Sequence, residues 1–503
     1  MARKSIQVSA VKLFTVIFVF AMLFSVFSVF ASVAEYARDI TKESSPISEG
    51  FYNPSVVFDG SYRDYTNAYS GATLSASNEA GIGYIYFIFE SVPPIFTVTD
   101  TKSGEVRSVD AQNMIHVAVD LTEKFGYAPT SIRISLDFPI AVSEIYLFSE
   151  GKLPDWVQVW SPALNESDLL LLVSHSDDDQ LFFAGLLPLY AGERNLKVQV
   201  AYFTNHDDAA NRRHELLDGL WHTGVRYYPI IAEFPDLYSE SYEGALSVYA
   251  GRGYEKDDFT DFVYKLINST RPLVVVSHDI NGEYGHGTHI LCTSALIEAA
   301  NKLTLPESYG EIEGKWFPAK IYLHLYSENE LTLDIDSPLS AFSGKTAFEI
   351  SQEAFGFHLS QHWTWFYNWI YGKSGSPITA SHQIATYNPA KYGLYSSAVG
   401  FDTEHNDFFE NLETLEQRAA RLEAEKAAYE SESVSIAEAE REKLTEPVTE
   451  PATEVHTDPQ SSPVTDKTEQ STPNDTSKAL AVLVMAAALV CVAILLIIQF
   501  KRR

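Results

Sequence analysis

Cysteine is nearly absent from this chain of 503 residues: there are 2, Cys292 and Cys491, the second inside a terminal apolar run. A disulfide framework is therefore excluded, and stability has to come from hydrophobic cores. Basic residues are scarce as well, 36 against 67 acidic ones for a net charge of -31, so the chain lacks the basic surface that a nucleic-acid partner requires. No Gly-x-Gly-x-x-Gly fingerprint follows the first strand of the α/β region, and no Gly-x-x-x-x-Gly-Lys-Ser/Thr loop occurs. No nucleotide cofactor is expected. A calcium loop, with spaced oxygen ligands around a central glycine, is missing too. Much of the acid excess is local: roughly 20 acidic residues face 6 basic ones between Phe401 and Ser477, the pattern of a solvated stalk.

The two ends carry the long apolar runs. Arg3, Lys4 and Lys12 precede an uncharged run from Leu13 to Ala34, so residues 1–34 read either as a signal peptide with Ser32-Val33-Ala34 as its cleavage site or as a membrane segment. Residues 479–500 are a second run of spanning length, closed by the basic tip 501–503, which the positive-inside rule puts in the cytoplasm. The expectation is a single-pass protein of the cell membrane with everything between the runs outside. Residues 406–444 read as an acidic helical stalk, and 445–477, rich in Thr, Pro, Glu and Ser, as a disordered linker.

Between the ends, two patterns follow one another. From residue 48 to 152, Gly81–Val92, Ile95–Asp100, Met114–Leu121, Ser131–Phe138 and Ala141–Phe148 are β-branched and aromatic runs separated by turn residues, which predicts a β-sandwich. From 156 to 405 strands alternate with helices: strand Asp168–Val173, helix Asp179–Tyr190, strand Leu196–Phe203, helix Ala209–Thr223, strand Val225–Ile231, helix Asp257–Ile267 and strand Leu273–Ser277. That order predicts an α/β domain built on a Rossmann-like, doubly wound, mostly parallel sheet.

Chemistry gathers after two of these strands. His175-Ser176-Asp177-Asp178-Asp179 follows the first, and the stretch from His278 to His289 follows the last, so both would sit at the carboxyl edge where such sheets bind ligands. A turn can aim His175 and a residue three positions on at one ion. The side chains of adjacent Asp177 and Asp178 diverge, which leaves one as ligand and the other as general base. His286 and His289 are three apart at the start of a helix, His289–Lys302; one can bind metal and the other face the substrate, where the helix start favours a developing oxyanion. This is the kit of metal-assisted hydrolysis. Taken singly, the first cluster is an Asp-rich helix cap and the second a polar glycine-rich loop; their joint placement after parallel strands favours the metal site.

The segment 168–301 resembles the PIG-L/LmbE family of zinc-dependent N-acetylglucosaminyl deacetylases. Its His-Pro-Asp-Asp-Glu motif is matched by His175-Ser176-Asp177-Asp178-Asp179, its Arg-x-x-Glu-Leu motif by Arg212-Arg213-His214-Glu215-Leu216, and its Gly-x-Tyr-Gly-His-x-x-His stretch by the residues from Gly282 to His289. The resemblance implies that His175, Asp178 and His289 hold Zn2+, or another divalent ion such as Fe2+, with Asp177 as general base. It also implies that His286 protonates the leaving amine or stabilises charge, that Tyr284 polarises the amide carbonyl and that Arg212 touches the sugar. Three positions depart from the family: Ser176 for Pro, Asp179 for Glu, and Thr288 where many members have Asp. No ligand is lost, but Thr288 removes a carboxylate that could orient its neighbours. A second resemblance, of Asn53-Pro54-Ser55-Val56-Val57-Phe58-Asp59-Gly60 to the entry of discoidin-like (galactose-binding-like) sandwiches, implies a carbohydrate-directed accessory domain.

Beyond Lys302, the stretch Ala347–Trp369 holds His358, Gln361, His362, Trp363 and Trp365. Such aromatics can stack on sugars, but a stripe at helical spacing reads first as core. Two function classes follow. The favoured one is a membrane-anchored, extracytoplasmic hydrolase acting on N-acetyl sugars of a cell-envelope glycan or glycoconjugate; the other is a catalytically inactive glycan-binding protein of the cell surface.

Overall fold

The structure, a computed structural model, describes residues 36–206, 209–305 and 307–445. The runs 1–34 and 479–500, the linker after Thr445 and the basic tip lie outside these residues. Among the described residues no helix is long and apolar enough to cross a membrane. The compact unit ends at Ala427, within the acidic helix Leu415–Thr445, whose side chains are exposed from Glu416 to Ala437. That exposure is what a Glu- and Ala-rich stalk without an apolar stripe requires.

Eight antiparallel strands make the N-terminal part: β1 (Ile47–Phe51), β2 (Thr66–Ser77), β3 (Tyr84–Phe89), β4 (Phe96–Asp100), β5 (Val106–Val109), β6 (His116–Asp120), β7 (Ser131–Leu136) and β8 (Ile140–Phe148). Their order is β5-β4-β7-β2-β8-β3-β6, with β1 also on β2. The long strand β2 changes partner midway: Thr66–Ala68 pair with β8 and Ala72–Ser77 with β7. Gly71, at φ +83°, sits at the changeover, where a side chain would be strained. The Asp59-Gly60 turn has a structural task, since the amides of Asp59, Gly60 and Ser61 all donate to Glu144 Oε1, at 3.0, 2.8 and 3.2 Å.

The second sheet runs β11 (Ile230–Ile231), β10 (Val198–Tyr202), β9 (Ser167–Val173), β12 (Pro272–Ser277), then the strands Lys320–His324, Lys391–Ser397 and Glu330–Thr332. From β11 to Lys320–His324 every pairing is parallel, and the last two strands are antiparallel. Every residue of β9, β10 and β12 is buried, which is why those segments read as continuous apolar runs.

Four expectations are corrected. The helix over Asp179–Tyr190 is replaced by a 3-10 turn, Asp178–Gln180, and a π-helical turn, Pro188–Glu193. Gly185 stands between them at φ +86°, outside the right-handed helical region, so the α-helix is interrupted there. The strand Val225–Ile231 shrinks to its last two residues, and a helix the pattern did not announce, Tyr242–Ala250, follows it. The aromatic stretch splits at Gly356 into Ala347–Phe355 and Phe366–Tyr371. It is not core throughout: Trp363 is 84% exposed.

A buried polar chain joins the first sheet to the helix Ala210–His222. Tyr86 Oη and His116 Nδ1 are 2.8 Å apart, His116 Nε2 and His214 Nδ1 2.9 Å, and His214 Nε2 and Glu90 Oε1 3.2 Å, with Ser143 donating to the same Glu90 oxygen at 2.6 Å. His214 lies on the helix Ala210–His222, as does Asp218, whose carboxylate accepts from Tyr62 and Gln158, each at 2.6 Å. Groups this deeply buried need such partners.

Candidate active site

Parallel neighbours end at the same level, so the turn after β9 and the loop after β12 face one another. The Ser174 amide donates to His278 Nε2 at 2.9 Å and ties the two together. The first turn then folds back on itself, with the His175 amide donating to Asp178 Oδ2 at 2.6 Å. At the second, His286 caps the helix Gly287–Leu303, its Nδ1 accepting from the Thr288 amide at 3.2 Å, and His289 is carried one position beyond.

This brings the three implied ligands together. His175 Nδ1 lies 3.1 Å from Asp178 Oδ2 and 3.1 Å from His289 Nε2, and His289 Nε2 lies 3.4 Å from Asp178 Oδ1. Ligand distances of about 2.0–2.1 Å in a tetrahedral zinc site correspond to donor separations of about 3.3 Å. The residues fit. His278 also lies near His289 and Asp178, as does His286 near His175 and His289. His278, however, has both ring nitrogens engaged, one by the Ser174 amide and the other by Glu283 at 2.7 Å.

Glu283 was not singled out by the sequence, and it organises the site from beneath. It is fully buried; Oε2 lies 2.7 Å from both His278 Nδ1 and His289 Nδ1, and Oε1 lies 2.6 Å from His324 Nδ1. Burial alone would raise its pKa, but His278, His289 and His324 hold it well below the usual carboxylate range. It fixes His289 with Nε2 toward the donor cluster and supplies the orienting carboxylate that Thr288 cannot. Glu283→Ala is expected to weaken divalent-metal binding by roughly 10- to 100-fold, the usual effect of removing such a partner, as read by competition with a chelating dye. Unchanged affinity would show that packing alone holds the histidine.

Asp177 stays out of the donor set. Arg212 Nη2 donates to its Oδ1 at 3.2 Å, and burial raises its pKa while Arg212 opposes the rise. Asp178 behaves in the opposite way: burial would raise it, yet His289 and His175 hold it well below the ordinary value. Two adjacent carboxyls thus have opposite electrostatic characters, one pushed up and one held down. Asp179 is turned inward, accepting from Gln180 at 2.5 Å.

Arg212 also donates to Asp236 Oδ2 at 2.9 Å, and Asp236 Oδ1 lies 3.4 Å from His175 Nε2. Nothing in Glu233-Phe234-Pro235-Asp236 marks that residue, since it reaches the site on an irregular loop after β11. His286 is pushed down to about 2 by burial and by His175 and His289, so it is neutral, and with Nδ1 accepting, Nε2 carries its proton. Tyr284, at φ 46°, packs its ring 5.6 Å from Phe366 and 5.7 Å from Trp365. Except for His289, which is buried beneath, the implied site residues line a cavity of about 220 Å³, joined there by Asp236, Tyr238, Gln361 and Phe366.

Comparison with known proteins assigns this part of the chain, because residues 170–300 match the family model described as PIG-L, GlcNAc-PI de-N-acetylase. Residues 170–300 form a PIG-L domain. The chain is 29% identical over 183 residues to a 1D-myo-inositol 2-acetamido-2-deoxy-alpha-D-glucopyranoside deacetylase of Rhodococcus jostii (strain RHA1), covering 32% of this chain and 61% of that protein. It is 40% identical over 58 residues to the protein of the same description from Segniliparus rotundus, covering 12% of this chain and 18% of that one. The chain therefore spans less than two thirds of these relatives. Among solved structures, an N,N'-diacetylchitobiose deacetylase from Pyrococcus horikoshii has 16% identity and a TM-score of 0.31, covering 45% of this chain and 84% of that one. The PIG-L match stops before His324, Gln361 and Phe366, so part of the site wall comes from outside it.

Proposed function

We propose that the chain is a metal-dependent hydrolase that removes the acetyl group from an N-acetylated amino sugar of N-acetylglucosamine type, in a glycan or glycoconjugate. One observation carries this reading: His175 Nδ1 and His289 Nε2 lie 3.1 Å apart, each with a different oxygen of Asp178 within 3.4 Å, at the spacing of a zinc site, and Asp177 stands beside them outside that set. A bound zinc-class ion, Zn2+ before Fe2+, supplies a more acidic water and a polarised amide carbonyl.

The rest falls to the chain's own groups. The water oxygen adds to the carbonyl carbon as Asp177 takes its proton. The neutral His286 Nε2–H and the Tyr284 hydroxyl donate to the oxyanion. When the C–N bond breaks, Asp177 returns the proton to the amine, leaving acetate and a free amino sugar. Arg212, tied to Asp177 and Asp236, holds the base in place and lines the cavity that would take the sugar. The test is acetate release from a panel of N-acetyl glycans by the metal-loaded protein, lost on chelation and restored by Zn2+. Glycan binding without acetate release from any of them would mark an inactive glycan-binding protein instead.

In the same reading the parallel sheet is a Rossmann-like doubly wound scaffold, supported by its site at the carboxyl edge, and the antiparallel array is a discoidin-like β-sandwich, supported by the partner change in β2. An experimental structure with another strand order would overturn both. The apolar runs and the tip 501–503 support a single-pass protein of the cell membrane with the hydrolase outside. Protease added to intact cells is then expected to release most of the chain by cutting within 445–477; complete protection would reverse the orientation.

A further inference from the structure

The segment from Gly356 to Tyr371 enters the reaction cavity only through Gln361 and Phe366. Two of its other aromatics are displayed, Trp363 at 84% exposure and Trp365 at 47%. Single exposed apolar residues need no account, but here large ones adjoin on one short segment at the mouth of a reaction cavity. Trp365 lies 4.3 Å from Phe366 and 5.7 Å from Tyr284, ring centre to ring centre. Tyr238, 65% exposed and 5.2 Å from His286, adds a ring from a second segment of the cavity wall.

The display is held in place. The amide and hydroxyl of Ser360 donate to Glu215 at 3.0 and 2.5 Å, and the amide and hydroxyl of Thr364 donate to the Gln361 carbonyl at 3.0 and 2.7 Å. Rings on a backbone pinned this way lose little freedom when a ligand covers them. Charge then narrows the occupant. Gly356 to Tyr371 contains no Asp, Glu, Lys or Arg, and its polar side chains are hydroxyls, amides and imidazoles. A segment that rests on a bilayer carries Lys or Arg on its polar face. Ring faces interleaved with hydroxyl and amide groups suit a neutral, polyhydroxylated ligand, whose C–H faces stack and whose hydroxyls bond.

We propose that this segment is a subsite for the sugar residues next to the one being deacetylated, so that the preferred substrate is an oligosaccharide or glycan chain. The proposal rests on the deacetylase reading above. Its test compares N-acetylglucosamine with its β-1,4-linked tetramer, using the full chain, with acetate release giving kcat/KM and tryptophan fluorescence giving tetramer binding. The tetramer is expected to be the better substrate, and Trp363→Ala to cut the tetramer-to-monomer ratio roughly three- to tenfold, the range of one aromatic contact, while Trp363→Phe keeps it. A ratio unchanged in Trp363→Ala overturns the proposal. If neither sugar releases acetate, the deacetylase reading is decided by the wider glycan panel, and the subsite stands or falls on whether tetramer affinity drops in Trp363→Ala. Trp363-dependent binding to phosphatidylcholine vesicles, without any chain-length gain, overturns it in favour of a membrane-resting face.

Discussion

Asp177→Asn is expected to lower acetate release by roughly two to four orders of magnitude, the usual contribution of a general base, while metal content and glycan affinity stay near wild type. The separation of these readouts follows from the geometry. Asp177 contributes no atom to the cluster of His175, Asp178 and His289, and an Asn at that position still offers Arg212 an oxygen acceptor at the place where the carboxylate sits 3.2 Å away. Asp236 continues to hold the other arm of the guanidinium at 2.9 Å. What the amide cannot do is accept a proton. Measuring kcat/KM and bound metal on the same preparation decides the matter: equal activity would assign the proton to another group, with Asp236 as the remaining carboxylate of the cavity outside the ligand set.

His289→Ala is expected to abolish stoichiometric metal binding and, with it, acetate release, by three orders of magnitude or more on the ~10²–10⁴ scale of essential catalytic groups. His175→Ala should do the same. His289 is the stricter test, because it is fully buried and held from behind by Glu283. Removing it also leaves part of a buried carboxylate unpaired, which costs stability, and circular dichroism with thermal melting must accompany the metal analysis. His175→Ala leaves Glu283 untouched and provides the control. Metal retained at about one equivalent in a folded His175→Ala, His289→Ala double variant would sink the ligand set.

What the sequence disclosed and what it withheld divide along physical lines. β9 and β12 were legible because both faces are covered and nearly every residue is apolar, and the clusters after them were legible because the carboxyl edge of a parallel sheet is where ligands bind. The seven implied site residues do converge, six on the cavity and His289 beneath it. Strand β2 escaped notice because Thr66–Ser77 is built of small and polar residues whose alternation is weak. Asp236 and His324 escaped because they reach the site by tertiary folding alone, one from a loop and one from a later strand. Glu283 lies inside the stretch Gly282–His289 that carries the histidines. Three residues before His286, it could have been suspected from the need of a metal-bound imidazole for a partner at its other nitrogen. The helix forecast over Asp179–Tyr190 failed at Gly185, whose backbone angle no local pattern reveals.

The chain of contacts running from Tyr86 through His116 and His214 to Glu90 bears on how this protein can be taken apart. The helix that presents Arg212 to Asp177 is, two residues further on, bonded to the N-terminal strands, and at Asp218 bonded to them again through Tyr62. Cutting the gene between residues 152 and 156 would therefore not yield a catalytic half and a recognition half. It would leave His214 without His116 and Glu90, and Asp218 without Tyr62, loosening the helix on which Arg212 stands. The antiparallel strands brace the helix that presents Arg212 without lining the cavity itself, and exchanging them for another appendage would mean rebuilding the outer face of that helix at the same time.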